Sequence, residues 1–481
     1  MDTLREMRRL RRWVRIGAPD ESLTRVSGMA AVTELVHRLG MIRLLDAAIG
    51  PIKSRGRGFS GGQLLVGLAC AQLAGEGFLV GLDRQRADVA GQVLSPVAGL
   101  SSTTAAGLAR RVTEGQWRAV ETGIGGVHTA MLAVLPPERA AALCEEVTID
   151  LDTTDVEVYG RKKRGVAFNY QGQRCGRPHV ATWAQTATAL AADLMAGDED
   201  PRGHAPELLR RALAAARSGR IRLRADAGYF AGALARAALA AGVEFAIGAK
   251  RIAPLWRLLT GLAETEWTDA LDMDGAQVAV ASWCPDWWPT ATRLLIRRVR
   301  LDITAGQVST DLRSRRRRTL HPDQRALPLA ALAELDAVYG YSFIVTNLDV
   351  STPAKAAAIE RWYRHRTEIE NVFRDAKHGA ALRHLPSGYP EVNTAWMWGA
   401  LLATSIAGWL HHLTATPGPD GRLLGHGVRE GQAMIATLRR KLIRVPARLI
   451  RHAGALDLRL PPGHHLLEKI LARLRALPAT P

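Results

Sequence analysis

The stretch VTIDLDTTDVEV, from Val147 to Val158, is the part of this chain that decides its fold class. Apolar and polar residues alternate along it, and β-branched residues are frequent, so it predicts a β-strand. Asp150 and Asp152 lie two residues apart and therefore project from the same face of that strand. A carboxylate on such a strand is unfavourable unless it is paired or binds a metal ion.

Downstream of this strand, short strand and helix patterns alternate, which predicts an α/β domain. Strands are predicted over residues 165–170, 179–185, 221–225 and 243–248, and helices over residues 206–217 and 232–241. The first three strands of the domain fit an antiparallel meander, and the later alternation indicates parallel crossovers. Asp226 follows the strand 221–225 at a glycine turn, where ligands usually sit in α/β sheets. Taken singly, each aspartate also fits an ordinary strand-end or turn residue.

The alternation stops between residues 253 and 338, where strand-like runs, a tryptophan-rich turn and an arginine run predict an inserted subdomain. A strand is expected again at 341–347. A helix then begins after the cap and proline of Ser351-Thr352-Pro353 and is expected to run to about Lys377, with Gly379 as its stop. A second, strongly apolar helix is predicted over residues 395–410 and interpreted as buried.

Four polar residues of the first of these helices share one face. Tyr363, Arg366, Glu370 and Lys377 are spaced by three, four and seven positions, which a helix of 3.6 residues per turn brings into line. One interpretation is a solvated face with salt bridges, as is common for such charge pairs. The other is a functional face that presents one acid between two cations.

The composition restricts the class of partner. The 481 residues include 64 Lys and Arg against 46 Asp and Glu, a formal net charge of +18. Such an excess indicates a polyanionic partner, with nucleic acid first and an anionic membrane surface second. The basic residues are not gathered on one amphipathic helix, so we expect no membrane partner. The basic N-terminus has no signal-peptide core, and the four cysteines form no CxxC pair, so we expect a cytoplasmic protein.

The spacing Tyr-x2-Arg-x3-Glu-x6-Lys resembles the signature around the last acidic residue of bacterial insertion-sequence DDE transposases. Asp152-Thr153-Thr154 resembles the first motif of that family, and the DAGYF sequence that begins at Asp226 resembles the second. The motifs occur in the order of the family. A long insertion separates the second from the third, as in the branch of the family with a β-rich insertion.

This resemblance implies an α/β fold with a ribonuclease-H-like catalytic core that is interrupted by a β-rich insertion, between a helical N-terminal domain and a helical, basic C-terminal region. The expected domains are 1–140 (helical, DNA-binding), 141–252 (core, first part), 253–338 (inserted β-rich subdomain), 339–412 (core, second part) and 413–481 (basic C-terminal region).

The resemblance also implies a catalytic triad of Asp152, Asp226 and Glu370 that holds two Mg²⁺ ions, for which Mn²⁺ is expected to substitute. Two such cations activate the attacking oxygen and stabilise the leaving oxygen of a phosphodiester. Hard Mg²⁺ ions prefer oxygen ligands, which suits three carboxylates. Asp150 shares the strand face of Asp152 and stays open as an alternative first carboxylate.

DNA contacts are expected from two groups of residues. By resemblance, Tyr363, Arg366 and Lys377 hold DNA phosphates near the cut. In the insertion, Trp288 is a candidate for stacking on an extruded base, against the alternative that the tryptophans there fill a small core. The expected phosphate contacts of the insertion are Arg297, Arg298, Arg315 and Arg316, against the alternative of a solvated loop for the arginine run.

These expectations together describe a transposase that cuts DNA at the ends of an insertion sequence and transfers the strands to target DNA. Its partner would be double-stranded DNA, namely terminal inverted repeats and target, within the bacterial nucleoid. Joining two ends requires two active sites, so a homodimer on DNA is expected. The alternatives are a non-catalytic or domesticated DNA-binding derivative of a transposase and another two-metal nuclease.

Overall fold

The amino-terminal part of the chain is helical. In the computed structural model, the described residues are 16–54, 56–216, 219–303, 308, 314–419, 423–425 and 434–478. A two-residue strand, β1 (Leu23–Thr24), precedes the helices α1 (Met29–Arg38), α2 (Met41–Ile49), α3 (Gly61–Leu73), α4 (Gly81–Arg86), α5 (Val89–Val93), α6 (Ser102–Ala109), α7 (Glu114–Val134) and α8 (Pro137–Glu145). The two long helices α3 and α7 begin with capping boxes, which satisfy free backbone N–H groups at their starts.

The central sheet follows. Its strands are β2 (Val147–Thr153), β3 (Val156–Glu157), β4 (Ala167–Phe168), β5 (Arg174–Trp183), β6 (Thr188–Ala196), β7 (Ile221–Ala225) and β8 (Glu244–Ala249), and its helices are α9 (Pro201–Ala215) and α10 (Gly232–Ala240). Strands β2, β5 and β6 form an antiparallel meander, whereas β2, β7 and β8 are parallel. This mixed α/β arrangement is consistent with a ribonuclease-H-like transposase core.

The third strand of the meander differs from the prediction. The strand expected over 165–170 shrinks to the two residues of β4, and the long third strand is β6 instead. Its sequence, TALAADLMA, is rich in alanine, which is depleted in strands, and it lacks a regular alternation. The strand conformation of β6 therefore depends on its pairing with β5 and on its burial against the surrounding helices.

The insertion contains α11 (Ala253–Leu258), β9 (Thr268–Asp269), β10 (Ala276–Ala281), β11 (Arg293–Arg300), α12 (Arg315–Thr319), α13 (Pro322–Ala326) and α14 (Leu329–Ala333), and it returns to the core through β12 (Tyr339–Thr346). Strand β12 pairs with both β8 and β11, and β10 continues the series. The strands of the predicted insertion thus extend the central sheet.

The helix expected from Pro353 to Lys377 is irregular. It consists of α15 (Pro353–Arg364), a 3₁₀ turn, α16 (Glu368–Arg374) and a π turn over Asp375–Gly379. Such π turns are frequent at functional sites. The apolar helix that follows is confirmed as buried and is longer than predicted, as α17 (Pro390–Thr414). Across the described residues, no helix is both long and apolar enough to span a bilayer.

The C-terminal region is not helical throughout, which corrects the expectation. It contains β13 (Thr416–Pro417), β14 (Leu423–Leu424), α18 (Ile435–Leu438), β15 (Ala447–His452), β16 (Ala455–Arg459) and α19 (Leu466–Ala476). Ala453 and Gly454 both have positive φ and connect β15 to β16 as a tight hairpin, whose first strand pairs with β1. The amino- and carboxyl-terminal parts of the chain pack closely at Gly28. A Cβ at this position would lie 2.0 Å from the carbonyl oxygen of Leu442, so only glycine fits there.

Candidate active site

Two of the expected catalytic carboxylates lie at neighbouring strand ends. Leu151 of β2 is in register with Ala225 of β7, and the strands are parallel, so Asp152 and Asp226 are the next residues along adjacent strands. Asp226 accepts a hydrogen bond from the N–H of Gly228 at 2.8 Å, which caps the following 3₁₀ turn. The carboxyl ends of parallel strands thus bring the two aspartates together, as expected from their motifs.

Asp150 has a different environment. It is fully buried and receives two hydrogen bonds from the guanidinium of Arg224, at 2.6 and 2.8 Å. Burial raises the pKa of Asp150, and the charge of Arg224 opposes that rise. Arg224 also donates to the carbonyl oxygen of Trp362, at 2.6 Å. Asp150 is therefore one half of a buried ion pair that connects β2, β7 and α15.

The third carboxylate, Glu370, is exposed on α16 and contributes to the field at Asp152. The pKa of Asp152 is raised from 3.8 to about 7, mainly by burial. The charge of Asp226 also raises it, Arg366 and the backbone N–H of Thr153 lower it, and Glu370 adds a smaller increase. Repulsion among the three carboxylates therefore adds to the effect of burial, and a cation among them would relieve it.

Arg366 is a cation in direct contact with this group. Its Nη1 lies 3.3 Å from Oδ2 of Asp152, and both side chains are mostly buried. Burial acts to lower the pKa of Arg366, but the electrostatic effects of Tyr363, then of Asp152, Asp226 and Asp150, outweigh it and hold the pKa above its ordinary value. The guanidinium therefore partly neutralises the acidic site from the side of the signature helix.

Tyr363 supports the second carboxylate through the backbone. Its hydroxyl donates to the carbonyl oxygen of Ala225, at 3.1 Å, directly before Asp226. A Cβ at Gly248 of β8 would lie 2.6 Å from that hydroxyl and 2.8 Å from the N–H nitrogen of Ala227. Glycine at 248 thus permits the close approach, a requirement that the sequence motifs did not reveal.

Lys377 contacts the protein backbone in this structure. Its Nζ donates to the carbonyl oxygen of Asp155, at 2.8 Å. The Asp155 carboxylate in turn accepts hydrogen bonds from Arg177, at 2.7 Å, and from the amide of Asn169, at 2.8 Å. Lys377 therefore connects the π turn to the segment that follows the first carboxylate.

The residues expected in the insertion divide into buried and exposed groups. Trp288 is 2% exposed and packs against Phe230, with ring centroids 5.0 Å apart, so the core-filling interpretation describes its surroundings. Arg298 is also buried, pairs with Glu264 and lies against two aromatic rings. Neither side chain presents a free face to DNA here, because protein atoms already occupy its contacts.

Arg297 is likewise engaged, since its Nη1 donates to buried Glu360 at 2.8 Å. By contrast, Arg315 and Arg316 are exposed at the start of α12. Arg313, part of the same arginine run, lies outside the described residues. Of the expected phosphate contacts in the insertion, Arg315 and Arg316 are therefore the ones that reach the surface.

Tyr229 is a further residue near the site that the sequence interpretation did not single out. It is buried, its hydroxyl has no hydrogen-bond partner among the described residues, and its ring stacks on His179 with centroids 5.6 Å apart. Burial, followed by the charges of Asp152 and Asp226, raises the pKa of Tyr229 well above 10. Its place in the DAGYF motif was the available signal.

The donor types at this site fit a hard divalent cation, since the acidic side chains offer only carboxylate oxygens. The described side chains of the site, however, are not arranged as a complete set of metal ligands. Among the described residues, no group of three or more His, Cys, Asp or Glu side chains is arranged to hold a metal ion as it stands. The site thus combines the chemistry of a Mg²⁺ centre with an arginine that pairs with one of the expected ligands.

Fold and site together define a class of protein, namely a mixed α/β core with a carboxylate cluster at the strand ends. A sequence profile described as "Transposase DDE domain" matches residues 144–406, which is 263 of the 481 residues. The chain therefore belongs to the family of DDE transposases. This match begins at the end of α8, just before the first strand of the central sheet, and ends within α17.

No curated protein sequence matches the chain. Among solved structures, a cryo-EM structure of the piggyBac transposase synaptic complex with hairpin DNA is similar over 85% of this chain and 78% of that chain, with 10% sequence identity and a TM-score of 0.37. At such a TM-score the family assignment rests on the sequence match.

Proposed function

We propose that this chain cuts DNA at the ends of an insertion sequence and joins the freed ends to target DNA, with Asp152, Asp226 and Glu370 as the catalytic carboxylates. The observation that carries this proposal is the register of β2 and β7, which makes Asp152 and Asp226 neighbours at the end of the sheet. The effect of Glu370 on the pKa of Asp152 supports its membership in the same site.

The surroundings of the two candidate first carboxylates favour Asp152. Asp150 is already matched by the bidentate Arg224 and has no exposed surface, so replacing that partner with a metal ion would leave a buried arginine unpaired. Asp152 has a single, longer contact with Arg366 and is partly exposed. Its pKa of about 7 also indicates that a bound cation would stabilise the ionised carboxylate.

Mg²⁺, or Mn²⁺ in its place, would be held by these three carboxylates and would supply an activated oxygen nucleophile and a stabilised leaving oxygen. The chain itself positions the site. Tyr363 holds the backbone before Asp226, and Lys377 holds the backbone after Asp152. Arg366 offers a planar guanidinium that can release Asp152 and grip a DNA phosphate in two hydrogen bonds.

The DNA partner is supported by the charge of +18 and by exposed cations at the surface of the insertion, Arg315 and Arg316. Terminal inverted repeats and target DNA would bind the same chain at different stages. Two ends must be joined, so a homodimer on DNA belongs to this proposal, and light scattering of the protein with end DNA would measure it.

The test is cleavage of a plasmid that carries the gene with its flanking DNA, in Mg²⁺ and in EDTA. Wild type is compared with Asp226→Asn and Glu370→Gln, and with Glu368→Gln as a matched control on the same helix. We expect Mg²⁺-dependent cuts at both element ends that only the first two variants abolish, while their DNA binding persists. Binding without cutting in wild type would favour a non-catalytic derivative. Cutting by Glu370→Gln would remove Glu370 from the site.

A further inference from the structure

The segment between β3 and β5 displays an unusual set of exposed aromatic rings. Tyr159, Phe168 and Tyr170 are 84%, 65% and 88% exposed. Six Phe, Tyr and Trp side chains are strongly exposed among the described residues, and these three occupy one segment of twelve. Three exposed rings within one short segment are a candidate binding surface, whereas single exposed apolar residues are ordinary. The segment between β3 and β5, residues 158–173, is the aromatic loop.

The same loop carries the basic run Arg161-Lys162-Lys163-Arg164. Three of these four side chains are exposed and Lys163 is half-buried. None of the four forms an ion pair with an acidic side chain within the described part of the chain. The nearby Glu157 instead accepts a hydrogen bond from the hydroxyl of Tyr159, at 2.9 Å. An uncompensated basic run beside exposed rings suits a partner that is both anionic and aromatic.

Hydrogen bonds to neighbouring segments fix the backbone of the loop. Arg174 donates to the carbonyl oxygens of Gly160 and Lys163, at 2.6 and 2.7 Å. The N–H of Arg164 donates to the carbonyl oxygen of Gly388 at 3.2 Å, and Nζ of Lys163 donates to that of Leu385. These contacts fix the backbone of the basic run and leave Arg161 and Lys162 at its exposed tip.

A further ring continues the surface beyond the loop. The guanidinium carbons of Arg164 and Arg110 each lie 4.9 Å from the centroid of the Tyr389 ring. Arg110 follows α6, so this stack joins the loop to the helical amino-terminal part. The surface therefore extends across two parts of the fold with the same combination of arginine and aromatic ring.

The base of the loop is connected to the candidate active site. Asn169 bonds to the carboxylate of Asp155 at 2.8 Å, and Lys377 bonds to the carbonyl oxygen of the same residue. Asp155 lies only three residues after Asp152. A nucleic acid held by the loop would thus be positioned relative to the catalytic carboxylates.

We propose that the aromatic loop binds unpaired nucleotides of the DNA substrate beside the active site, with bases stacked on Tyr159, Phe168 and Tyr170 and phosphates on Arg161 and Lys162. The inference rests on the proposed function for the identity of the partner. Unpaired bases are specified because each ring needs an open base face, which stacking within a duplex hides.

The test measures binding of the full-length chain in EDTA, which prevents cleavage, to a single-stranded thymidine oligonucleotide and to a duplex of equal length. Fluorescence anisotropy compares wild type with the variant Tyr159→Ala/Phe168→Ala/Tyr170→Ala. We expect single-strand affinity to fall by at least about tenfold and duplex affinity by less than about twofold. The matched variant Tyr159→Phe/Tyr170→Phe, which keeps the rings, should bind as wild type does.

The basic tip has its own readout. Arg161→Gln/Lys162→Gln should reduce the slope of log affinity against log salt for the single strand by about 1.4, because each lost phosphate contact contributes about 0.7. Leu456→Ala, which removes an exposed apolar side chain on the distant hairpin strand β16, should change neither measurement. Circular dichroism of each variant confirms that it is folded.

Equal single-strand affinity of the folded triple-alanine variant and wild type would overturn the inference. So would loss of self-association in that variant with unchanged DNA binding, because the loop would then be an interface between copies. Failure of the proposed function is distinguishable, since it appears as absent plasmid cleavage by wild type in Mg²⁺. Ring-dependent binding of the single strand without plasmid cleavage would support the binding role of the aromatic loop and contradict the proposed cleavage activity.

Discussion

Replacing Asp152 with asparagine is expected to make the metal-free protein progressively more stable relative to wild type as the pH rises from about 5 to about 7. Burial, with the charge of Asp226 and a smaller effect of Glu370, raises the pKa of Asp152 from 3.8 to about 7, against the opposing charge of Arg366. The folded chain therefore holds this proton more tightly than the unfolded chain does. The stability associated with the bound proton is complete below the unfolded pKa and is lost as pH rises through the folded pKa.

The magnitude follows from that interval. Between about pH 5 and about pH 7, the folded chain keeps the proton of Asp152 and the unfolded chain has released it. The free energy of unfolding of wild type then falls by about 1.4 kcal/mol per pH unit, or ~3 kcal/mol over the whole interval. The asparagine side chain of the variant has no such proton, so the stability of the variant relative to wild type should rise by ~3 kcal/mol over this range. The opposing charge of Arg366 is already included in the raised pKa of Asp152, so it adds no separate pH dependence over this range.

The assay is urea unfolding in EDTA, followed by tryptophan fluorescence at both pH values. Asp155→Asn is the matched control. Burial acts to raise the pKa of Asp155, but hydrogen bonds from Arg177 and Asn169 hold it below its ordinary value. This control should be less stable than wild type by a similar amount at both pH values, because both lie above the unfolded pKa. A pH-independent difference between Asp152→Asn and wild type would refute the reasoning.

Three further predictions concern the packing of the site. Arg224→Gln should lower the free energy of unfolding by about 3–5 kcal/mol because it leaves Asp150 buried without its partner, and adding Asp150→Asn should recover much of the loss in urea unfolding. Trp288→Ala should lower the free energy of unfolding by about 3–5 kcal/mol, because Trp288 is buried. Trp287→Ala should lower it by less than about 1 kcal/mol, because Trp287 is exposed. Equal losses in the two variants would contradict this packing. Gly248→Ala should displace the signature tyrosine, with a loss of about 1–3 kcal/mol in thermal unfolding and reduced plasmid cleavage.

The local pattern of the sequence was sufficient for elements whose residues favour one structure on their own. The alternation around Asp152 predicts β2, and the cap and proline before Ala354 predict the start of α15; the structure contains both. The buried apolar helix was equally visible, because a long apolar run has few alternatives. The three catalytic candidates were named from motif spacing, which encodes residue types and their order along the chain.

Pairing between distant residues was not visible in the sequence. The alanine-rich β6 and the hairpin of β15 and β16 depend on partners far along the chain, and the extension of the central sheet by the insertion depends on β12 contacting β8. The environments of Asp150 and Asp152 show the same limit. Both occupy one strand face, yet one is matched by Arg224 from the adjacent strand and the other by Arg366 from a helix.

The sequence alone thus determined the fold class, the family signature and the charge that suits a nucleic-acid partner, because these properties depend on residue types and short-range periodicity. Only the tertiary structure decided which carboxylate is already paired, which arginines and tryptophans of the insertion are buried, and which rings of the aromatic loop are exposed. Burial and ion pairing are set by residues that are distant along the chain and adjacent in space, and no local pattern specifies them.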